Sequence, residues 1–236
     1  MLVGNGPTTD LARASDAADS IIQINGCRHA AVLDADKTRH IFIANMGETV
    51  SAPLCRAIKE QGALLGDATI IRGRNPLFYA AKRAFLQAQN WRLSLYDYQL
   101  TQSWKMLAKK WPVESVSLSS SMRLEYQLRR LGMAQDAMPS TGMIAYDWLL
   151  QRLKPDDHLT VAGFTFEGWP GHPWEIERGL VLSVGGTAEG RQGFCVAISA
   201  PTPRPTPVKV RCGGLRRVRS LLWRKRVLHG RCLSTS

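Results

Sequence analysis

Short apolar runs alternate along this chain with longer segments whose apolar residues recur at helical spacing. Ser20–Asn25 (SIIQIN), Arg39–Asn45 (RHIFIAN), Ala68–Arg72 and His158–Phe164 (HLTVAGF) have the length and β-branched content of buried strands. Met1–Gly4 predicts a very short first strand and Ser115–Leu118 (SVSL) another. A natural start upstream would lengthen the first. Helices are predicted over Leu11–Asp19, Ser51–Gly62, Leu77–Gln89, Leu100–Lys110, Ser121–Leu131 and Gly142–Leu153, with one more beginning near Pro173. Gly62 and Pro76 stand where a helix stop and a helix start need them. Strands separated by helix-length spacers predict an α/β fold. It is a mostly parallel twisted sheet with helices on both faces, Rossmann-like in layout. Ligands of such sheets lie at the C-terminal ends of the strands.

Composition agrees with a folded chain. Of 236 residues, 44% are hydrophobic and 21% charged, which excludes a disordered protein. No apolar run approaches the roughly 18 residues of a membrane span, and no secretory leader pattern opens the chain. The five cysteines are odd in number and form no C-x-x-C pair. Neither a disulfide framework nor a zinc site is read from them, and a cytoplasmic setting is expected.

Charge divides the chain. The net charge is +12, yet residues 201–236 hold ten Lys or Arg and no acid, leaving 21 bases against 19 acids before them. The expected organisation is a single α/β domain over residues 1–200, followed by a proline-rich linker (APTPRPTP, from Ala200) and a basic, disordered tail over 201–236. A nearly neutral body argues against specific nucleic-acid binding. The tail suits an anionic surface, and a peripheral contact at the inner membrane is one expectation for it.

Four motifs fall at strand ends or helix starts. Gly4-Asn5-Gly6-Pro7 follows the first strand, where glycines let backbone N–H groups turn toward a phosphate. The dinucleotide fingerprint is not met, because threonine holds its last position and the second strand ends in Asn25 instead of an acid. Asn25-Gly26 offers an amide beside that loop. Pro139-Ser140-Thr141-Gly142 opens an apolar helix, with two hydroxyls and free N–H groups that serve as a cap or as an anion site. Gly163-Phe164 ends a strand, and a glycine-rich aromatic loop then delivers His172 just before a helix that carries Glu177. Loops of this kind hold catalytic residues.

Together these motifs resemble the sialyltransferases of glycosyltransferase family 29 over roughly residues 1–180. Gly4-Asn5-Gly6 with Asn25 resembles the long sialyl motif. Pro139–Gly142 with Gly163-Phe164 resembles the short motif, and His172 with Glu177 has the H-x4-E spacing of the very short one. A cysteine pair bridging the motifs and an H-x-x-Y element are missing. The resemblance implies a sialyltransferase-like variant of the fold and an inverting, metal-independent transfer. A keto sugar of sialic acid or Kdo type would pass from its CMP donor to a glycan hydroxyl.

In that reading Gly4, Asn5, Gly6, Pro7, Asn25, Ser140, Thr141, Gly142, Gly163 and Phe164 bind the donor. His172 is the general base, and Glu177 orients either backbone or His172. No cofactor is implied beyond the CMP-activated sugar as substrate, and the partners are the nucleotide-sugar donor and a glycan acceptor. The alternative is a non-catalytic, nucleotide-binding accessory protein that keeps the fold.

Overall fold

The computed structural model describes residues 1–8, 11–33, 37–43, 66–89, 101–186 and 194–198. Seven strands form one sheet: β1 (Leu2–Val3), β2 (Ser20–Ile24), β3 (Thr38–Ile43), β4 (Thr69–Arg72), β5 (Val113–Ser115), β6 (Leu159–Phe164) and β7 (Phe194–Ile198). Their spatial order is β5-β4-β3-β2-β1-β6-β7, and every neighbouring pair is parallel. The connecting helices are α1 (Leu11–Asp16), α2 (Pro76–Gln89), α3 (Thr101–Ala108), α4 (Leu118–Arg130), α5 (Thr141–Leu150) and α6 (Trp174–Gly186), with a 3-10 turn at Ala30–Val32. The expected α/β, Rossmann-like layout is what the chain adopts.

Alternation along the strands sends side chains to two buried faces. Leu2, Ile22, Ile24, Phe42, Ile71 and Val161 pack with Met143, Ala145, Tyr146 and Trp148 of α5 and with Leu124 and Leu128 of α4. On the other face Ile41, Ile43 and Ile70 meet Trp104 and Leu107 of α3, while Val3, Ile21 and Ala162 meet Leu11 and Leu33. Two-residue β1 lies inside the sheet: Leu2 pairs with Ile22 of β2 on one side and Val161 of β6 on the other. From β1 the chain runs outward through β2 to β5, then returns to β6. The order of the sheet therefore reverses between β1 and β6, which is where such folds open a crevice.

Three elements, β5, α4 and β7, depart from the sequence expectation. The fifth strand ends at Ser115, and α4 starts at Leu118, three residues ahead of its predicted start. The cause is Ser117, whose hydroxyl accepts from the Ser120 N–H at 3.1 Å and caps the helix there. The seventh strand, FCVAI, was not anticipated, and it pairs with β6 across a register shift between Ala162 and Phe164. The predicted helix over Ser51–Gly62 lies outside the described residues, as do the linker and the basic tail. Among the described residues no helix is long and apolar enough to cross a membrane.

Candidate functional site at the carboxyl edge of the sheet

The turn after β1 is bound into the sheet. The Gly4 N–H donates to Ala162 O at 2.8 Å and the Gly6 N–H to Gly163 O at 2.8 Å, so both continue the pairing of β1 with β6. The glycines are needed for this approach. A Cβ at Gly4 would overlap the Gly163 carbonyl, and one at Gly6 would lie 2.6 Å from Thr165 Cγ2. Gly163 answers with a left-handed φ of 70°. Asn5 turns the other way: its amide donates to Ile24 O at 3.0 Å and its oxygen accepts from Arg28 N at 3.4 Å. Asn25, with φ 50°, is bonded through its N–H to Phe42 O at 2.7 Å; asparagine tolerates that conformation better than most residues. Pro7 is exposed beyond the turn.

The start of α5 is held from several sides. Ser140 caps the helix, its Oγ accepting from Met143 N at 3.0 Å. The Glu177 carboxylate grips the same residue twice, accepting from Ser140 N at 2.7 Å and from Ser140 Oγ at 2.6 Å. Burial raises the Glu177 carboxyl above its ordinary range, against the opposing pull of both Ser140 bonds and of the Arg74 charge. Thr141 and Gly142 are buried in the first turn, and a Cβ on Gly142 would come within 2.6 Å of the Phe164 ring. This close contact joins the start of α5 to the end of β6.

His172 lies beside this helix start. Its Nδ1 is 2.8 Å from Met138 O. A carbonyl can only accept, so Nδ1 carries the proton and Nε2 holds the lone pair of the neutral ring. Trp169 and Trp174 stand edge-on to the imidazole, each with its ring centroid 4.9 Å away. Burial lowers the His172 pKa most; the Met138 bond raises it and the Arg74 charge lowers it again. Glu177 bonds Ser140 and makes no hydrogen bond to His172.

The four motifs thus meet along one edge, linked in the order Gly4/Gly6, Gly163, Phe164, Gly142, Ser140, Glu177, with His172 joined through Met138. Two partners were not singled out from the sequence. Arg74, 7% exposed, donates to Pro139 O at 2.8 Å. Three successive residues, Met138 to Ser140, are therefore tied by His172, Arg74 and Glu177 in turn. The His29 ring sits on Gly6 O at 3.0 Å through Nε2. Arg74 did carry a signal, since Gly73-Arg74-Asn75 follows a strand just as the other motifs do. Among the described residues no cluster of three His, Cys, Asp or Glu is placed to hold a metal ion. The nearby pocket, lined by Arg74, Phe78, Val116, Leu124, Ile144 and Asp147, has about 340 Å³ of empty space including its open mouth.

No family model matches the chain, and no solved structure matches it. A curated relative does. Over 196 residues the chain is 28% identical to the urease operon 23 kDa accessory protein of Rhizobium meliloti (strain 1021), covering 81% of this chain and 89% of the relative. That relative bears the name of an accessory protein, and this overturns the resemblance to family 29 sialyltransferases. The expected CMP-sugar glycosyltransferase activity falls with it. So do the sugar donor, the glycan acceptor and the membrane contact as partners. The geometry supplies a physical reason. The Gly4 and Gly6 N–H groups, the Asn5 amide and the Ser140 hydroxyl, all expected on a donor, are engaged in joining strands and capping a helix.

Proposed function

We propose that this protein is a non-catalytic accessory protein, acting in the cytoplasm in support of a urease system. The similarity to the Rhizobium meliloti accessory protein, which runs through most of both chains, carries the reading. The site supports it in a second way. Ser140, Glu177, Arg74 and His172 brace a helix start, and the glycine turn stitches β1 to β6. These are the uses that a scaffold makes of such residues. An accessory protein acts by contact, so its working parts are surfaces held in shape by a rigid sheet.

The experiment is genetic and enzymatic. The gene for this chain is deleted from a strain that carries urease, then restored on a plasmid, and urease activity is measured in lysates of equal urease content. Activity should fall severalfold on deletion and return on restoration. Unchanged activity per urease molecule would overturn the reading.

A further inference from the structure

Helix α4 has apolar residues on two faces. Leu124 and Leu128 are buried in the core. On the other side Leu118, Met122 and Tyr126 recur every fourth residue, 38%, 56% and 65% exposed. Side chains four apart share a helix face, so these form one stripe open to solvent. Leu77, 71% exposed, begins α2 nearby in the fold, since Asn75 Nδ2 donates to Val116 O just ahead of α4. An exposed apolar stripe on one helix face marks a contact site more often than scattered leucines do.

The exposed charges of α4 have one sign. Arg123 and Arg130 are exposed. Arg123 pairs with the inward-facing Asp147 at 2.5 Å and is still 49% exposed, while the Arg130 guanidinium lies 6.0 Å from the Tyr126 ring centroid. The only acid of the helix, Glu125, is 14% exposed and is neutralised by Arg129 at 2.7 Å. The outward surface is therefore apolar with a cationic rim.

From this we infer that the exposed face of α4 is a docking surface for a partner protein segment with an apolar stripe and an acidic rim, of the amphipathic-helix kind. The inference rests on the accessory reading and supplies the surface that reading needs. Charge complementarity selects the occupant. The chain's own residues 201–236 carry ten bases and no acid, the wrong charge for this rim. A second copy would set Arg123 and Arg130 against an equally basic face. An acidic rim meets both arginines while apolar side chains cover Met122 and Tyr126.

The test uses the full chain and two labelled helical peptides. Both carry the same leucine stripe; one is flanked by glutamates and the other by lysines. Fluorescence anisotropy reads the affinities at low and at physiological salt. The glutamate peptide should bind about tenfold more tightly, with the preference shrinking as salt rises. Met122→Ser with Tyr126→Ser should abolish binding of both peptides, and Arg130→Glu should reverse the preference. All three side chains are exposed, so melting curves should stay near the wild type; if the double variant unfolds, Arg130→Glu alone decides.

Equal affinity for the two peptides would overturn the inference. So would binding indifferent to these substitutions, or a self-association that the same substitutions remove. Peptide selectivity without any effect on urease would sink the functional reading and leave the surface standing. The reverse outcome would do the opposite.

Discussion

Glu177 is 1% exposed, and both its oxygens accept from Ser140. Its pKa is raised, chiefly by burial, from an ordinary 4.5. The protonated form is thus favoured by folding, and the stability it contributes is present below pH 4.5 and lost as the pH climbs through the folded value. Glu177→Gln keeps an acceptor for the Ser140 N–H and lets the rotatable Ser140 hydroxyl adjust. The wild type should lose melting temperature relative to this variant as the pH rises above 4.5, and parallel curves would contradict the assignment. Glu177→Ala instead strands two buried donors and should cost about 1–3 kcal/mol for each, read from urea unfolding.

His172 has the opposite sign. Its pKa is lowered from 6.5, mainly by burial, so its contribution is present above pH 6.5 and lost as the pH falls to the folded value. His172→Asn can still donate to Met138 O, and it should remove this acid-side loss. Two-sided pH curves for both variants and the wild type separate the two groups. At this scale His172, Glu177 and Ser140 could be picked out because each stands at a strand end or a helix start. Arg74 could not be joined to them, because its partner Pro139 is 65 residues away in sequence.

At the scale of elements, glycines of one chain serve opposite ends. Gly4→Ala would drive a methyl into the Gly163 carbonyl, and β1 would have to separate from β6. A loss of about 1–3 kcal/mol is expected, the usual cost of forcing extra volume into a packed interior. Gly179 lies within α6, where an added Cβ meets nothing within 4 Å. Gly179→Ala should stabilise by about 0.5–1 kcal/mol, because alanine loses less backbone entropy on entering a helix. Denaturant midpoints that move in the same direction for both would contradict this picture. Helix α5 shows why strand and helix positions were easier to read than partners. Its residues Thr141 to Trp148 are buried on every side, so its apolar run announced a core helix whatever lay against it.

On the scale of the whole molecule, a seven-stranded parallel sheet is continuous only through a two-residue strand, β1, which joins β2 to β6. The turn after β1 fastens it on both sides, through the Gly4 and Gly6 N–H groups to the β6 side and through the Asn5 amide to Ile24 O of β2. Because the groups expected to hold a cytidine monophosphate are engaged in this way, CMP should leave the melting temperature unchanged, whereas a bound ligand raises it by mass action. Incubation with CMP-sialic acid or CMP-Kdo should release no CMP above a protein-free blank. Release of CMP that stops in His172→Ala would mean that the chain is a transferase after all.

Alternating apolar runs and helical periods in the chain were enough to specify a parallel α/β sheet. Those patterns depend on neighbours a few residues apart, and burial demands them in any such fold. The close meeting of the motifs at one edge was also legible, because the carboxyl ends of parallel strands lie on one edge. Whether a glycine turn faces a phosphate or the adjoining strand is not written in the motif. The same N–H groups suit either use, and only the register of β1 against β6 chose between them. The outward face of α4 was equally hidden, since solvent exposure belongs to the packed molecule and not to any residue taken by itself.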